Sequence, residues 1–218
     1  MGSYAEEERV AVLIGATSGI GVDILKHLCS RGWRVAFTGR RQEAGEQLLE
    51  SLPTNKAFFY AADVSNYNET ADVFQKVHKR FGRIDAVCVN AGIVDKSSIY
   101  IYDKQSRAVE DIPPAPDTSV VDINYKGVVN CTQLATHFMR YNPQPGGRIV
   151  ITGSIGSIFP HKSYPIYCGT KSAVNQFVRG VAPLLKQKEK ILINVVLPGI
   201  LDTPIVPPEM IKAVTPEW

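Results

Sequence analysis

Several features are scarce or missing in this chain, and each absence narrows what it does. No apolar run approaches the ~18 residues that a membrane-spanning helix needs. The first residues do not read as a secretory leader, because Ser3 to Arg9 is polar and acidic. Charge of one sign is not concentrated: the net charge is +3 over 218 residues, spread along the chain, which speaks against nucleic acid or a membrane surface as a partner. The four cysteines, Cys29, Cys88, Cys131 and Cys168, form no Cys-x-x-Cys pair, so reduced thiols and a cytoplasmic location are expected. His27, His78, His137 and His161 are scattered without ligand spacing, and no metal site is expected. No Gly-Lys-Ser/Thr is present, which disfavours a P-loop nucleoside triphosphatase. No repeat or linker divides the chain, so residues 1–218 are expected to form one domain.

What is present is a regular alternation. The hydrophobic share of 44% and the charged share of 21% are those of a globular protein with a substantial core. Short apolar runs predict strands at Val10–Ile14, Arg34–Thr38, Ala57–Ala61, Ala86–Asn90, Arg148–Thr152 and Leu192–Leu197. Amphipathic runs predict helices at Gly19–Arg31, Glu43–Leu52, Asn68–Phe81, Ser119–Tyr141 and Tyr167–Leu185. Such alternation makes βαβ units, hence an α/β fold with a parallel sheet and helices on both faces. The rhythm breaks between Asp95 and Asp117, where Ile112-Pro113-Pro114-Ala115-Pro116 can continue neither helix nor central strand. A cover over a substrate and a plain surface spacer explain that segment about equally well.

Gly15, Gly19 and Gly21 follow the first strand and open the first helix, with Thr17, Ser18 and Ile20 between them. Glycines at that junction allow a tight turn and a close backbone approach, and the amide groups of a helix start attract a phosphate. The second strand ends in Gly39-Arg40-Arg41. A carboxylate there would suit a ribose 2′-hydroxyl, whereas a guanidinium fork suits a 2′-phosphate. NADP is therefore expected over NAD, with solvent-facing arginines as the plainer alternative.

Tyr167 and Lys171 stand four residues apart and share one helix face. An ammonium near a phenol is expected to lower its pKa from about 10 and fit it for proton transfer. Ser154 follows the fifth strand, at the rim where α/β sheets hold ligands. Cys168 adjoins Tyr167 but points about 100° away on a helix, so it is read as packing. His161 lies between Ser154 and Tyr167 and is read as a loop residue rather than a pocket residue.

Taken together, these residues resemble the short-chain dehydrogenase/reductase family, with motifs in the family's order from about Val10 to Thr203. The resemblance implies a Rossmann-type, doubly wound parallel sheet ordered 3-2-1-4-5-6. It implies a catalytic tetrad of Asn124, Ser154, Tyr167 and Lys171. Lys171 would also bond the nicotinamide ribose, and Asn124 would hold a water against the lysine. Asp63 and Val64 would meet the adenine, Asn90-Ala91-Gly92 would lie beside the cofactor, and Pro198, Gly199, Ile200 and Thr203 would border the nicotinamide. Ile14 and Val89 replace a Thr and an Asn common in the family. Family members usually continue into a further helix and a seventh strand, which the sequence to Trp218 has no room for; a shortened chain or a short member is expected.

The implied activity is NADP(H)-dependent interconversion of a ketone and a secondary alcohol, chiefly carbonyl reduction, on a small hydrophobic substrate. A homodimer or homotetramer would form through helices 119–141 and 167–185. The alternatives are an NAD-dependent alcohol dehydrogenase and a nucleotide-binding sensor or scaffold without catalysis. Specificity would reside in Val94–Pro116, Ile155–Tyr164 and the region after Thr203.

Overall fold

The computed structural model describes residues 9–52, 55–100 and 108–205. The chain begins with β1 (Val10–Ile14), α1 (Ile20–Ser30), β2 (Arg34–Gly39), α2 (Gln42–Ser51), β3 (Ala57–Ala61), α3 (Tyr67–Phe81) and β4 (Ala86–Val89). It continues with α4 (Ser119–Val121), a π turn (Asp122–Lys126), α5 (Gly127–Met139) and β5 (Gly147–Thr152). A 3₁₀ turn (Ile155–Ser157), α6 (Pro165–Leu184), a second π turn (Leu185–Glu189) and β6 (Ile191–Val196) follow among the described residues. The strands form one six-stranded sheet in the order β3-β2-β1-β4-β5-β6. Every pairing is parallel.

Strand β1 shows why the sheet takes helices on both faces. All five of its residues are buried, as expected for a central parallel strand. Val10, Val12 and Ile14 pack in a core with Val73, Phe74 and Val77 of α3, Cys131 and Leu134 of α5, and Val174 of α6. Ala11 and Leu13, pointing the other way, pack with Leu25 of α1 and against Leu48 and Leu49 of α2. Beyond β4 the pattern changes. In β5 and β6, Ile149, Ile151, Ile191 and Ile193 are buried, whereas Val150, Leu192 and Val196 are exposed.

Helix ends differ from the sequence expectation where local chemistry decides them. α6 begins at Pro165, two residues before Tyr167, because proline suits the first turn of a helix. α3 starts behind Asn66, whose side chain accepts from the amides of Asn68 and Glu69, and ends at Gly82 with a left-handed φ of 70°. The single helix expected over Ser119–Tyr141 is interrupted by the π turn at Asp122–Lys126. Among the described residues no helix is long and apolar enough to cross a membrane.

Candidate active site

The strand order reverses between β1 and β4, and a crevice opens at the carboxyl ends of the strands there. A cleft of about 320 Å³ occupies this position. Its lining brings together Gly15, Thr17, Ser18, Gly19 and Ile20 after β1, Gly39, Arg40 and Arg41 after β2, and Asp63 and Val64 after β3. Asn90, Ala91 and Gly92 after β4, Ser154 after β5, and Tyr167 and Lys171 on α6 line it too, as do Pro198, Gly199 and Thr203 after β6. Gly21, Asn124 and Ile200 do not line it. Gly21 lies beneath the loop, Asn124 is fully buried, and Ile200 is 40% exposed.

The glycine loop is shaped by contact. Gly15 has φ 81°, and a Cβ placed on it would lie 2.5 Å from the Ala91 Cα. A Cβ on Gly21 would lie 2.3 Å from the Gly15 carbonyl oxygen and 2.9 Å from Asn90 Nδ2. Asn90 Nδ2 donates to that same carbonyl at 2.7 Å, and its Oδ1 accepts from Thr152 Oγ1 at 2.9 Å, tying the loop to β5. Ile14 and Val89, the departures from the family pattern, are both buried in the core. A hydroxyl contact to the loop comes instead from Thr38, whose Oγ1 accepts from the Gly15 amide at 3.3 Å.

No side chain caps α1 at Gly19; the Val22 amide bonds the Gly19 carbonyl at 3.0 Å, and the start of the helix at Gly19 and Ile20 faces the cleft, where an anion is favoured. Arg40 and Arg41 are exposed at the end of β2, and among the described residues neither is in an ion pair. Asp63 Oδ1 accepts from the amide and hydroxyl of Ser65 at 2.9 Å and 2.7 Å, which fixes the turn after β3. An uncapped helix start, an open glycine turn and a cationic rim fit a dinucleotide.

The catalytic candidates are set by contacts between distant segments. Lys171 is only 4% exposed, and its Nζ donates to the Thr152 carbonyl at 2.6 Å. Burial pulls its pKa down from 10.5 to about 8. Lys171 Nζ lies 5.7 Å from the centre of the Tyr167 ring. Burial pushes the Tyr167 phenol above its ordinary value, and a hydrogen bond from Ser154 opposes this. The lowering expected from Lys171 is therefore not what this environment produces: burial raises the phenol, and the opposing effect comes from Ser154. Ser154 Oγ accepts from the Gly156 amide at 3.0 Å. The turn behind Ser154 is gripped by α6, through Ser172 Oγ to the Ser157 carbonyl at 2.8 Å and Asn175 Nδ2 to Ser157 Oγ at 2.7 Å.

Asn124 sits in the π turn, a distortion that often marks functional positions. Its Oδ1 accepts from the Ile93 amide at 3.0 Å, and its Nδ2 donates to the Ile93 carbonyl at 2.9 Å and to Thr170 Oγ1 at 3.2 Å. It thus joins the loop after β4 to α6. Cys168 is buried, and its Sγ accepts from the His161 amide at 3.3 Å. His161 is exposed, stacks on Tyr164 and does not line the cleft.

Sequence reasoning did not single out Thr38, Thr152 or Asp95. The Asp95 carboxylate accepts from the amides of Ile166 and Tyr167. Their partners lie far away in sequence, beyond the reach of local patterns. Of the three expected specificity segments, residues 101–107 of the first and the part of the last after Ile205 lie outside the described residues.

Comparison with known proteins agrees with this arrangement. The family model described as short chain dehydrogenase matches residues 9–212. Short-chain dehydrogenase/reductase prx6 of Penicillium rubens is 69% identical over 225 aligned positions, covering 100% of this chain and 75% of that protein. The 15-hydroxyprostaglandin dehydrogenase of Mus musculus, whose name specifies NAD(+), is 29% identical over 90% of this chain and 69% of its own length. The crystal structure of levodione reductase is similar with a TM-score of 0.78 at 28% identity, covering 95% of this chain and 77% of that one. Matched by the family model over residues 9–212 and, across its whole length, by a relative 69% identical, the chain belongs to the short chain dehydrogenase family of oxidoreductases.

Proposed function

We propose that this chain is an NADP(H)-dependent oxidoreductase that interconverts a ketone and a secondary alcohol, working chiefly as a carbonyl reductase. The observation that carries the reading is the convergence of Ser154, Tyr167 and Lys171 on the cleft that also holds the glycine loop. When bound, the nicotinamide supplies the hydride or takes it. Ser154 orients the substrate oxygen by hydrogen bonding. Tyr167 gives that oxygen a proton as the alcohol forms, and removes it in the reverse direction. Lys171, with a pKa near 8, carries its charge at neutral pH and stabilises the phenolate left behind. Asn124 holds the loop after β4 against α6 and supports a water that restores the proton.

Preference for NADP rests on Arg40 and Arg41, which reach the cleft with no carboxylate between them and Gly39. The second reading, NAD-dependent alcohol oxidation, is favoured by the NAD(+) in the name of one relative. A hydrophobic carbonyl substrate is favoured by Ile155, Ile158 and Phe159, all exposed just after Ser154. Assembly into a homodimer or homotetramer through residues 119–141 and 167–185 belongs to the same proposal, and sedimentation of the pure protein tests it.

The activity test is a panel of cyclic and acyclic ketones with NADPH or NADH, followed at the nicotinamide absorbance band. Tyr167→Phe is expected to lower turnover by about 10²–10⁴-fold, the usual worth of a general acid. NADPH affinity should stay within about threefold, because Phe keeps the ring of Tyr167, itself expected beside the cofactor, and loses only the hydroxyl. Turnover like the wild type in that variant would remove the mechanism. NADPH binding without turnover of any ketone or alcohol would favour the non-catalytic sensor.

A further inference from the structure

We infer that Asp95 is a positioning residue for Tyr167, acting as an N-terminal cap supplied to α6 from the loop after β4. The inference rests on the reading of Tyr167 as the acid/base and names what holds it in place.

Helix α6 opens without a cap of its own. Tyr164 occupies the capping position and its side chain makes no capping bond. Of the first-turn donors, Pro165 has no N–H. The Cys168 amide bonds the Tyr164 carbonyl at 3.0 Å. The amides of Ile166 and Tyr167 remain. Asp95 Oδ2 accepts from Ile166 at 3.0 Å, and Oδ1 accepts from Tyr167 at 2.6 Å. One carboxylate thus satisfies both remaining donors of the turn that carries the phenol. A charged acceptor at a helix N-terminus is worth more than a neutral one, through both the hydrogen bond and the helix dipole.

Asp95 lies in the irregular segment that follows Asn90-Ala91-Gly92, and the same stretch is bound at Ile93 by Asn124. The loop after β4 therefore meets α6 at two places. Asn124 bonds Thr170, one turn beyond Tyr167, and Asp95 bonds Tyr167 itself. Between them they fix the helix segment from Tyr167 to Thr170 relative to the cofactor side of the cleft. Without Asp95, two amides lose their acceptor and the first turn frays. The Tyr167 ring then samples positions away from Ser154, and small misplacements of a reacting group cost rate far more than affinity.

The test uses the full chain and the variants Asp95→Ala, Asp95→Asn and Tyr167→Phe. Amide exchange by mass spectrometry reads the peptide holding Ile166 and Tyr167. NADPH binding is followed by nicotinamide fluorescence, and kinetics use 1,4-cyclohexanedione as probe ketone. Asp95→Ala is expected to speed exchange in that peptide at least tenfold and leave exchange in β1 and α3 unchanged. It should keep the NADPH Kd within about threefold, lower kcat about tenfold or more, and change KM less than threefold. Asp95→Asn, which retains one acceptor, should fall between Asp95→Ala and the wild type in both exchange and kcat. Unchanged exchange at the start of α6 would overturn the proposal even if the probe is not turned over. So would faster exchange throughout the sheet, or a KM effect without a kcat effect. Wild-type kcat in Tyr167→Phe would instead sink the acid/base reading, while the exchange result still shows whether Asp95 holds the turn.

Discussion

Lys171 holds an ammonium in a site that is 4% exposed, with a backbone carbonyl as its recorded partner. Its pKa near 8, against 10.5 in water, means the unfolded chain binds more protons between those values. Stability therefore rises with pH across that window, is greatest above 10.5, and is lost as pH falls through about 8. The change is on the order of 3 kcal/mol, from the shift multiplied by the worth of one pKa unit. Lys171→Met should remove this contribution. Urea unfolding at several pH values is expected to give a wild-type minus variant difference that climbs from pH 8 to 10.5. A flat difference would show that the ammonium is better solvated than its burial implies. At this scale the residue types were legible in the sequence, but their electrostatics were not. Nearness of Lys171 suggested a lowered Tyr167 pKa, whereas burial of the phenol raises it. Burial depends on what α6 packs against, and no spacing rule carries that.

At the scale of elements, the glycine loop is the most constrained piece of backbone at the site. Gly21→Ala would place a Cβ 2.3 Å from the Gly15 carbonyl and 2.7 Å from the Ala16 Cα, both backbone atoms that cannot swing aside. We expect a loss of about 1–3 kcal/mol in stability and at least tenfold weaker NADPH binding, measured by urea unfolding and fluorescence titration. Full retention of both would mean that the loop relaxes freely. Strands and long helices were readable because burial on one or both faces writes period 2, period 3.6 or continuous apolar runs into the chain. The π turn at Asp122–Lys126 left no such mark, since one extra residue per turn barely shifts the pattern. The start of α6 did leave one in Pro165, a residue whose preference for the first turn locates the helix more closely than its apolar face. Asp95 was not legible at all, because its partners lie 71 and 72 residues away.

Across the whole molecule, the candidate site lies where the strand order reverses between β1 and β4. That topology gathers the ends of β1, β2 and β3 on one side of the crevice and those of β4, β5 and β6 on the other. The first group presents the glycine loop and the two arginines, and the second presents Ser154 with Tyr167 and Lys171 beyond it. On the proposed reading, recognition of the 2′-phosphate rests on the first group and proton transfer on the second, although Lys171 and the segments after β4 and β6 also face the cofactor. Arg40→Ser combined with Arg41→Ser should weaken NADPH binding about 10–100-fold, the worth of one or two charge-assisted hydrogen bonds. NADH binding should change little. The measurement that most directly tests the account is a parallel turnover assay of one accepted ketone with NADPH and with NADH, in the wild type and in Tyr167→Phe. The account predicts NADPH well above NADH in the wild type and loss of turnover with both cofactors in the variant. Equal or better turnover with NADH would contradict the arginine reading, and surviving turnover in Tyr167→Phe would contradict the mechanism.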